Sequence, residues 1–267
     1  GGMIEWRETG KHKPFLYFLS QIDNNDLNQF TFSGSGGNLY PTRFEYDSFY
    51  LGLGSTGPIN ANTAYHVELV HEFGTGRSTT FNPNNGNPIP QTEEDISAWA
   101  AVAGITFLPH DESQSRFEFE LIAASGDDDR LDASNTFGGN LPGTDDNAFN
   151  AFGFLDTGLA LGPDPSNLIS FRAGASTNPD LDSELFKNIR VGLDAYLFHK
   201  LDADAPLNIS TTYDAYIGTE LDLSFDWHIL SDVTATLRYA IFFPGDALPA
   251  AEDDIRQFFY AGVTYAF

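Results

Sequence analysis

The sequence predicts an all-β protein, an antiparallel transmembrane β-barrel with about ten strands in this chain. Three observations predict it. Apolar and polar side chains alternate along a series of segments, the connections between those segments alternate short and long, and the last segment ends on an aromatic residue, Phe267.

Period-two alternation is what a strand needs when one face meets lipid and the other meets water. The first segments are 15–22, 43–56, 63–74 and 95–108, and Glu68 and Glu72 fall on the polar face of the third. In 115–125, Phe117, Phe119, Leu121 and Ala123 oppose Arg116, Glu118, Glu120 and Ile122. Arg172 takes the polar side of 168–178. In 188–200, Ile189, Val191, Leu193, Ala195 and Leu197 oppose Arg190, Gly192, Asp194, Tyr196 and Phe198. The clearest case is 216–228. There Ile217, Thr219, Leu221, Leu223, Phe225 and Trp227 face one way, and Gly218, Glu220, Asp222, Ser224, Asp226 and His228 the other. A helix would smear these charges around its axis. Segment 233–243 repeats the alternation with Arg238 on its polar side, and 258–267 places Phe259, Ala261, Val263, Tyr265 and Phe267 on one face.

The connections 57–62, 109–114, 179–187 and 229–232 are short, whereas 23–42, 75–94, 126–167, 201–215 and 244–257 are long and rich in Asp, Asn, Gly and Pro. Bacterial outer-membrane barrels sort their connections in this way, with tight periplasmic turns and long outer loops. An aromatic-terminated last strand reads as a barrel-assembly signal carried by Phe259, Val263, Tyr265 and Phe267. Such a strand is expected to pair with the first and remove the open edges that hydrocarbon does not tolerate. The chain reads as a single barrel domain over 1–267, with 1–14 as a lead-in.

Composition narrows the function. A formal net charge of −25, from 13 basic and 38 acidic residues, excludes nucleic acid as a partner. The absence of Cys excludes disulfides and thiolate metal sites. No apolar run reaches the ~18 residues of a membrane helix, a test that cannot see strands. Gly1–Arg7 holds no apolar signal core, so a mature or partial chain is expected. The expected partners are outer-membrane lipid and lipopolysaccharide, the barrel-assembly machinery and a hydrophilic solute.

From residue 43 onward the sequence resembles the alginate-export family of outer-membrane porins. The resemblance rests on Ala124-Ser125-Gly126-Asp127-Asp128-Asp129 with Phe152-Gly153-Phe154-Leu155-Asp156, and on Ser166-Asn167-Leu168. Most specifically, it rests on Gly218-Thr219-Glu220-Leu221-Asp222-Leu223 with Arg238-Tyr239-Ala240-Ile241-Phe242-Phe243-Pro244-Gly245-Asp246 and Phe267. It implies a passive channel in the bacterial outer membrane. Members usually have more strands, so this chain is either a small ten-stranded barrel or the C-terminal part of one with about 16–18.

The family archetype passes an anionic polysaccharide through a basic pore. Here the expected lumen face carries Arg116, Arg172, Arg190 and Arg238 against Glu68, Glu72, Glu118, Glu120, Asp194, Glu220, Asp222 and Asp226. Acid in excess favours cations, so alginate itself fits poorly. These arginines either brace the lumen in ion pairs, with Arg238 and Glu220 one such pair, or form a selectivity filter. Asp127, Asp128 and Asp129, in the aspartate-rich stretch 126–167, are the candidate ligands for Ca²⁺. A loop of that length could also fold into the pore as a constriction. No other cofactor is expected. No nucleophile elbow, phosphate loop or zinc-protease motif is present, so no enzyme is expected. The alternatives are an omptin-like hydrolase built on His199 with Asp202 and Asp204, or a structural, cation-binding barrel.

Overall fold

A computed structural model describes all residues except 8–9, 24–29, 34–38, 83–84, 135–138, 154, 184–185, 187, 210 and 267. Phe154 of the family motif and the terminal Phe267 therefore lie outside the described residues. The strands are β1 (Gly2–Glu5), β2 (Lys13–Gln21), β3 (Phe30–Ser33), β4 (Leu39–Thr42), β5 (Tyr46–Pro58), β6 (Thr63–Arg77), β7 (Glu93–Phe107), β8 (Arg116–Ala124), β9 (Leu168–Thr177), β10 (Ile189–Lys200), β11 (Tyr216–His228), β12 (Val233–Pro244) and β13 (Arg256–Tyr265). Each segment read from the alternation is a strand. The additions are β1, too short to show a period and lying inside the expected lead-in, and the β3–β4 hairpin within a long connection.

Eleven strands form one sheet in the order β1-β2-β5-β6-β7-β8-β9-β10-β11-β12-β13, and β3–β4 stands apart. The ladders are antiparallel and long, as between β6 and β7 from Thr63↔Phe107 to Arg77↔Glu93. The long connections gather at one end of the strands and the short ones at the other, as the sequence predicts.

Burial on the two faces is the reverse of a water-soluble sheet. Phe119 is 59% exposed, and Leu53, Leu69, Ile105, Phe171, Leu193 and Leu223 are exposed with it, while Glu72 and Glu220 are 0% exposed on the opposite face. Exposed apolar surface this continuous marks contact with another apolar phase, here the bilayer. Aromatic pairs sit towards both ends of the strands, Phe49–Phe73 near the long loops and Phe186–Trp227 near the short turns, as girdles at two interfaces.

One residue breaks the predicted faces. The β10–β11 register jumps from Phe198↔Gly218 to His199↔Tyr216, which leaves Ile217 as an extra, bulged residue. Ile217 therefore turns inward and is fully buried against Leu168, Tyr196, Phe198 and Phe242. Gly218 (φ +151°) allows the bulge, because a Cβ there would clash with the Phe243 carbonyl oxygen.

The expected closure of the last strand on the first is not made. Among the described residues β13 pairs only with β12, and β1 only with β2. In an alternating sheet of eleven strands, β1 and β13 run in the same direction. An antiparallel seam therefore cannot form between β13 and β1, and one between β13 and β2 would need the edge of β2 that β1 occupies at Phe15–Phe18. Phe259, Val263 and Tyr265 all stand exposed on β13.

Leu223 lies near the middle of β11 on the outer face. Leu223→Arg should cost about 2–4 kcal/mol when the protein folds into vesicles, and Ser224→Arg, one residue on and facing inward, should cost much less. Equal costs in urea titrations of membrane insertion would contradict the assignment of faces.

Candidate functional site

The inner face changes character along its length. At the long-loop end it is packed, in one cluster around Tyr50, Val70, Ala98, Ala100, Ala124 and Phe149, and in another around Phe198, Ile217 and Phe242. At the short-turn end it carries the charged residues read from the sequence. The β8–β9 connection runs between these regions, because it folds into the interior.

Its anchors are two buried carboxylates. Tyr46 and Tyr50 share the inner face of β5, and their hydroxyls donate to Glu72 Oε1 on β6 at 2.8 and 2.9 Å. Glu72 Oε2 accepts the Asn150 amide at 2.7 Å, and the Asn150 carbonyl, also 2.9 Å from the Tyr50 hydroxyl, shares its one proton with Glu72. On the far wall, Glu220 of β11 accepts the amides of Leu159 at 2.6 Å, Ala160 at 2.7 Å and Leu161 at 2.8 Å. Asp222 accepts Leu159 more weakly, at 3.2 Å. A run of amides aimed at one anion is a backbone nest. Gly158 (φ +97°) starts the turn that builds it, and a Cβ at that position would lie 2.7 Å from Glu220 Oε1. Residues 150–153 and 155–161 thus link the β5–β6 wall to β11. On the way Phe152 packs edge-on against Tyr50, with centroids 4.5 Å apart. Asp156 accepts the Tyr196 hydroxyl at 3.4 Å and lies 3.9 Å from Arg172. A cavity of about 210 Å³ remains between this segment and the wall, bordered by Tyr17, Glu68, Val102 and Ile122.

The predicted lumen residues separate into three groups. Arg172 pairs with Asp194 at 2.8 Å, Arg238 pairs through one guanidinium nitrogen with both oxygens of Asp226 at 3.0 Å, and Arg116 pairs with Glu118. Arg190 donates to Ser176 at 2.7 Å, and Glu120 meets His66 at 3.0 Å. Glu220 and Asp222, with Glu72, form the third group, withdrawn from solvent into the loop anchors. The expected Arg238–Glu220 pair is absent. Register sets Arg238 opposite Ser224 and Glu220 opposite Phe242, which puts Arg238 diagonal to Asp226 instead.

Asp127, Asp128 and Asp129 do come together, their ligand atoms within 4.8 Å of one another. Both oxygens of Asp127 are already occupied, accepting the amides of Asp129 at 2.8 Å and Asn147 at 2.6 Å. Burial holds its carboxyl above the ordinary aspartate range despite those amides. His199 packs on Tyr216 with centroids 5.2 Å apart, while Asp202 accepts the Asp204 amide. Among the described residues no hydrogen bond joins that histidine to either aspartate. Tyr46, Tyr50 and Asn150 are the functional residues that sequence reading missed. The spacing of Tyr46 and Tyr50, four apart on one strand face, was the available signal.

A single sheet with lipid-facing apolar residues, a charged interior and an inward loop defines an outer-membrane β-barrel of the porin class. The chain belongs to the alginate export family, whose model matches residues 1–261, and it is a protein of the bacterial outer membrane. The match begins well upstream of residue 43, where the sequence resemblance starts. Three solved structures are similar. One is the NanC porin, at 9% identity over 99% of this chain and 98% of that one, with a TM-score of 0.42. Another is OprB of Pseudomonas putida at high pH, at 11% identity over 98% of this chain and 56% of that one, with a TM-score of 0.47. The third is OccK5 (OpdH) of Pseudomonas aeruginosa, at 12% identity over 100% of this chain and 57% of that one, with a TM-score of 0.45. The chain thus spans little more than half the length of the latter two. No curated protein sequence matches it.

Removing one hydroxyl from the Glu72 cluster leaves a buried carboxylate short of a donor. Tyr46→Phe and Tyr50→Phe should each destabilise the folded protein by about 1.5–3 kcal/mol, with Tyr50→Phe also loosening Asn150. Equilibrium urea unfolding in detergent measures both.

Proposed function

We propose that this protein is a channel for passive passage of a small hydrophilic solute, with an oligosaccharide as the cargo class that the family suggests. The observation that carries this reading is the reversed sheet, which turns charged side chains inward and apolar ones to the bilayer. No covalent step is involved, and flow follows the concentration gradient.

Lumen charge sets the selectivity. Glu72, Glu220 and Asp222 are withdrawn from solvent into the loop anchors, which leaves Glu68, Glu118, Glu120, Asp194 and Asp226 facing the four inward arginines, and three of those arginines are held in ion pairs with Glu118, Asp194 and Asp226. The paired residues brace the wall and still contribute to the local field, so the excess acid favours cations and neutral solutes over polyanions. Arg190 is exposed within the lumen and is the arginine best placed to meet a solute.

Wild-type protein in planar bilayers should show unitary conductance with a cation-favouring reversal potential. Glu120→Gln should move that potential towards zero, and Arg190→Ala and Arg238→Ala should move it further towards the cation side. A silent bilayer would overturn the channel, and selectivity unchanged by all three substitutions would overturn the charge filter.

A further inference from the structure

We infer that Glu220 and Glu72 are positioning residues that set the width of the passage by pinning Leu159–Leu161 and Asn150 to its opposite walls, and that they take no part in its ionic selectivity. This rests on the channel reading above. A carboxylate buried without donors is costly, and charge-assisted bonds from backbone amides offset that cost. Glu220 is fully buried, and it accepts the amides of Leu159, Ala160 and Leu161. Its charge is spent on the segment and withdrawn from the lumen. Glu72 does the same at the other end through Asn150, with Tyr46 and Tyr50 filling its remaining sites.

Besides the two carboxylate anchors, Phe152 packs on Tyr50 and Tyr17 and Asp156 makes long polar contacts with Tyr196 and Arg172, while Ala160 and Leu161 pack against the apolar cluster at the Glu220 end. Loss of the Glu220 end therefore frees the stretch next to Gly158 while leaving the sheet ladders intact. The freed stretch widens the passage. Asp222 also loses its amide partner, Leu159.

Glu220→Gln keeps the size of the side chain but replaces one acceptor oxygen with a donor that opposes the amides. In single-channel recordings it should raise conductance roughly twofold, add open-channel noise and admit larger neutral sugars. The reversal potential should stay close to that of the wild type. Glu118→Gln should do the converse. Limited proteolysis in detergent reads the anchor without reference to conduction: Glu220→Gln should be cut within 150–161 several-fold faster than wild type, with the strands still protected. If Glu220→Gln does not insert, Gly158→Ala tests the same anchor, since its Cβ would meet Glu220 Oε1 at 2.7 Å and should likewise raise proteolysis of the segment with the strands still protected. A conducting wild type whose sugar cut-off and loop proteolysis are unchanged by Glu220→Gln would overturn the positioning role and leave the channel standing. A shifted reversal potential with an unchanged cut-off would overturn it in favour of a filter.

Discussion

Everything in this structure depends on one constraint: in hydrocarbon no backbone amide or carbonyl can be left without a partner. A sheet satisfies that demand along every strand except its two edges, and the ladders from β1 to β13 do so over almost their whole length. Once the backbone is satisfied between strands, side chains are free to sort by face. The bilayer takes Phe119, Leu193 and Leu223, and the interior takes the carboxylates. Water-soluble sheets obey the same hydrogen-bond rule with the sorting inverted, so burial rather than secondary structure identifies the solvent.

The interior has its own version of the constraint. Charges placed there must be paired, hydrogen-bonded or left in water. The protein uses all three solutions at different depths. Arginine–carboxylate pairs brace the wall on β8 to β12, Arg190 stays exposed, and Glu72 and Glu220 find backbone amides on the long β8–β9 connection. That connection solves two problems together, since its own amides gain strong acceptors where no strand is available to pair with them. A charged interior can in this way hold an irregular segment in place alongside the apolar packing of Phe149, Ala160 and Leu161.

The same reasoning gives the aspartate-rich part of that connection a structural role. Asp127 accepts two loop amides and is buried, and Asp146 receives Arg130 at 2.5 Å with both side chains nearly inaccessible. These contacts tie Asp127–Arg130 to Asp146–Asn147, so that the chain reaches Asn150 from a defined direction.

By itself the sequence determined the strands, their faces and the sorting of the loops. Alternation is a local property: successive side chains point to opposite sides of a strand wherever it lies, so Glu118, Asp194 and Asp226 could be placed on the inner face without coordinates. Tertiary structure decided which charges survive as lumen groups. Glu220 and Asp226 are indistinguishable in the pattern of β11, yet one is spent on amides some sixty residues away in sequence and the other pairs with Arg238 on the next strand. It also decided the inward turn of Ile217, where one extra residue reverses the parity that alternation relies on, and the directions of β1 and β13, which rest on a four-residue strand too short to leave a periodic signal. Partnership across a lumen is a long-range property, fixed by register and by the path of a loop, and neither is written in the spacing of neighbouring residues.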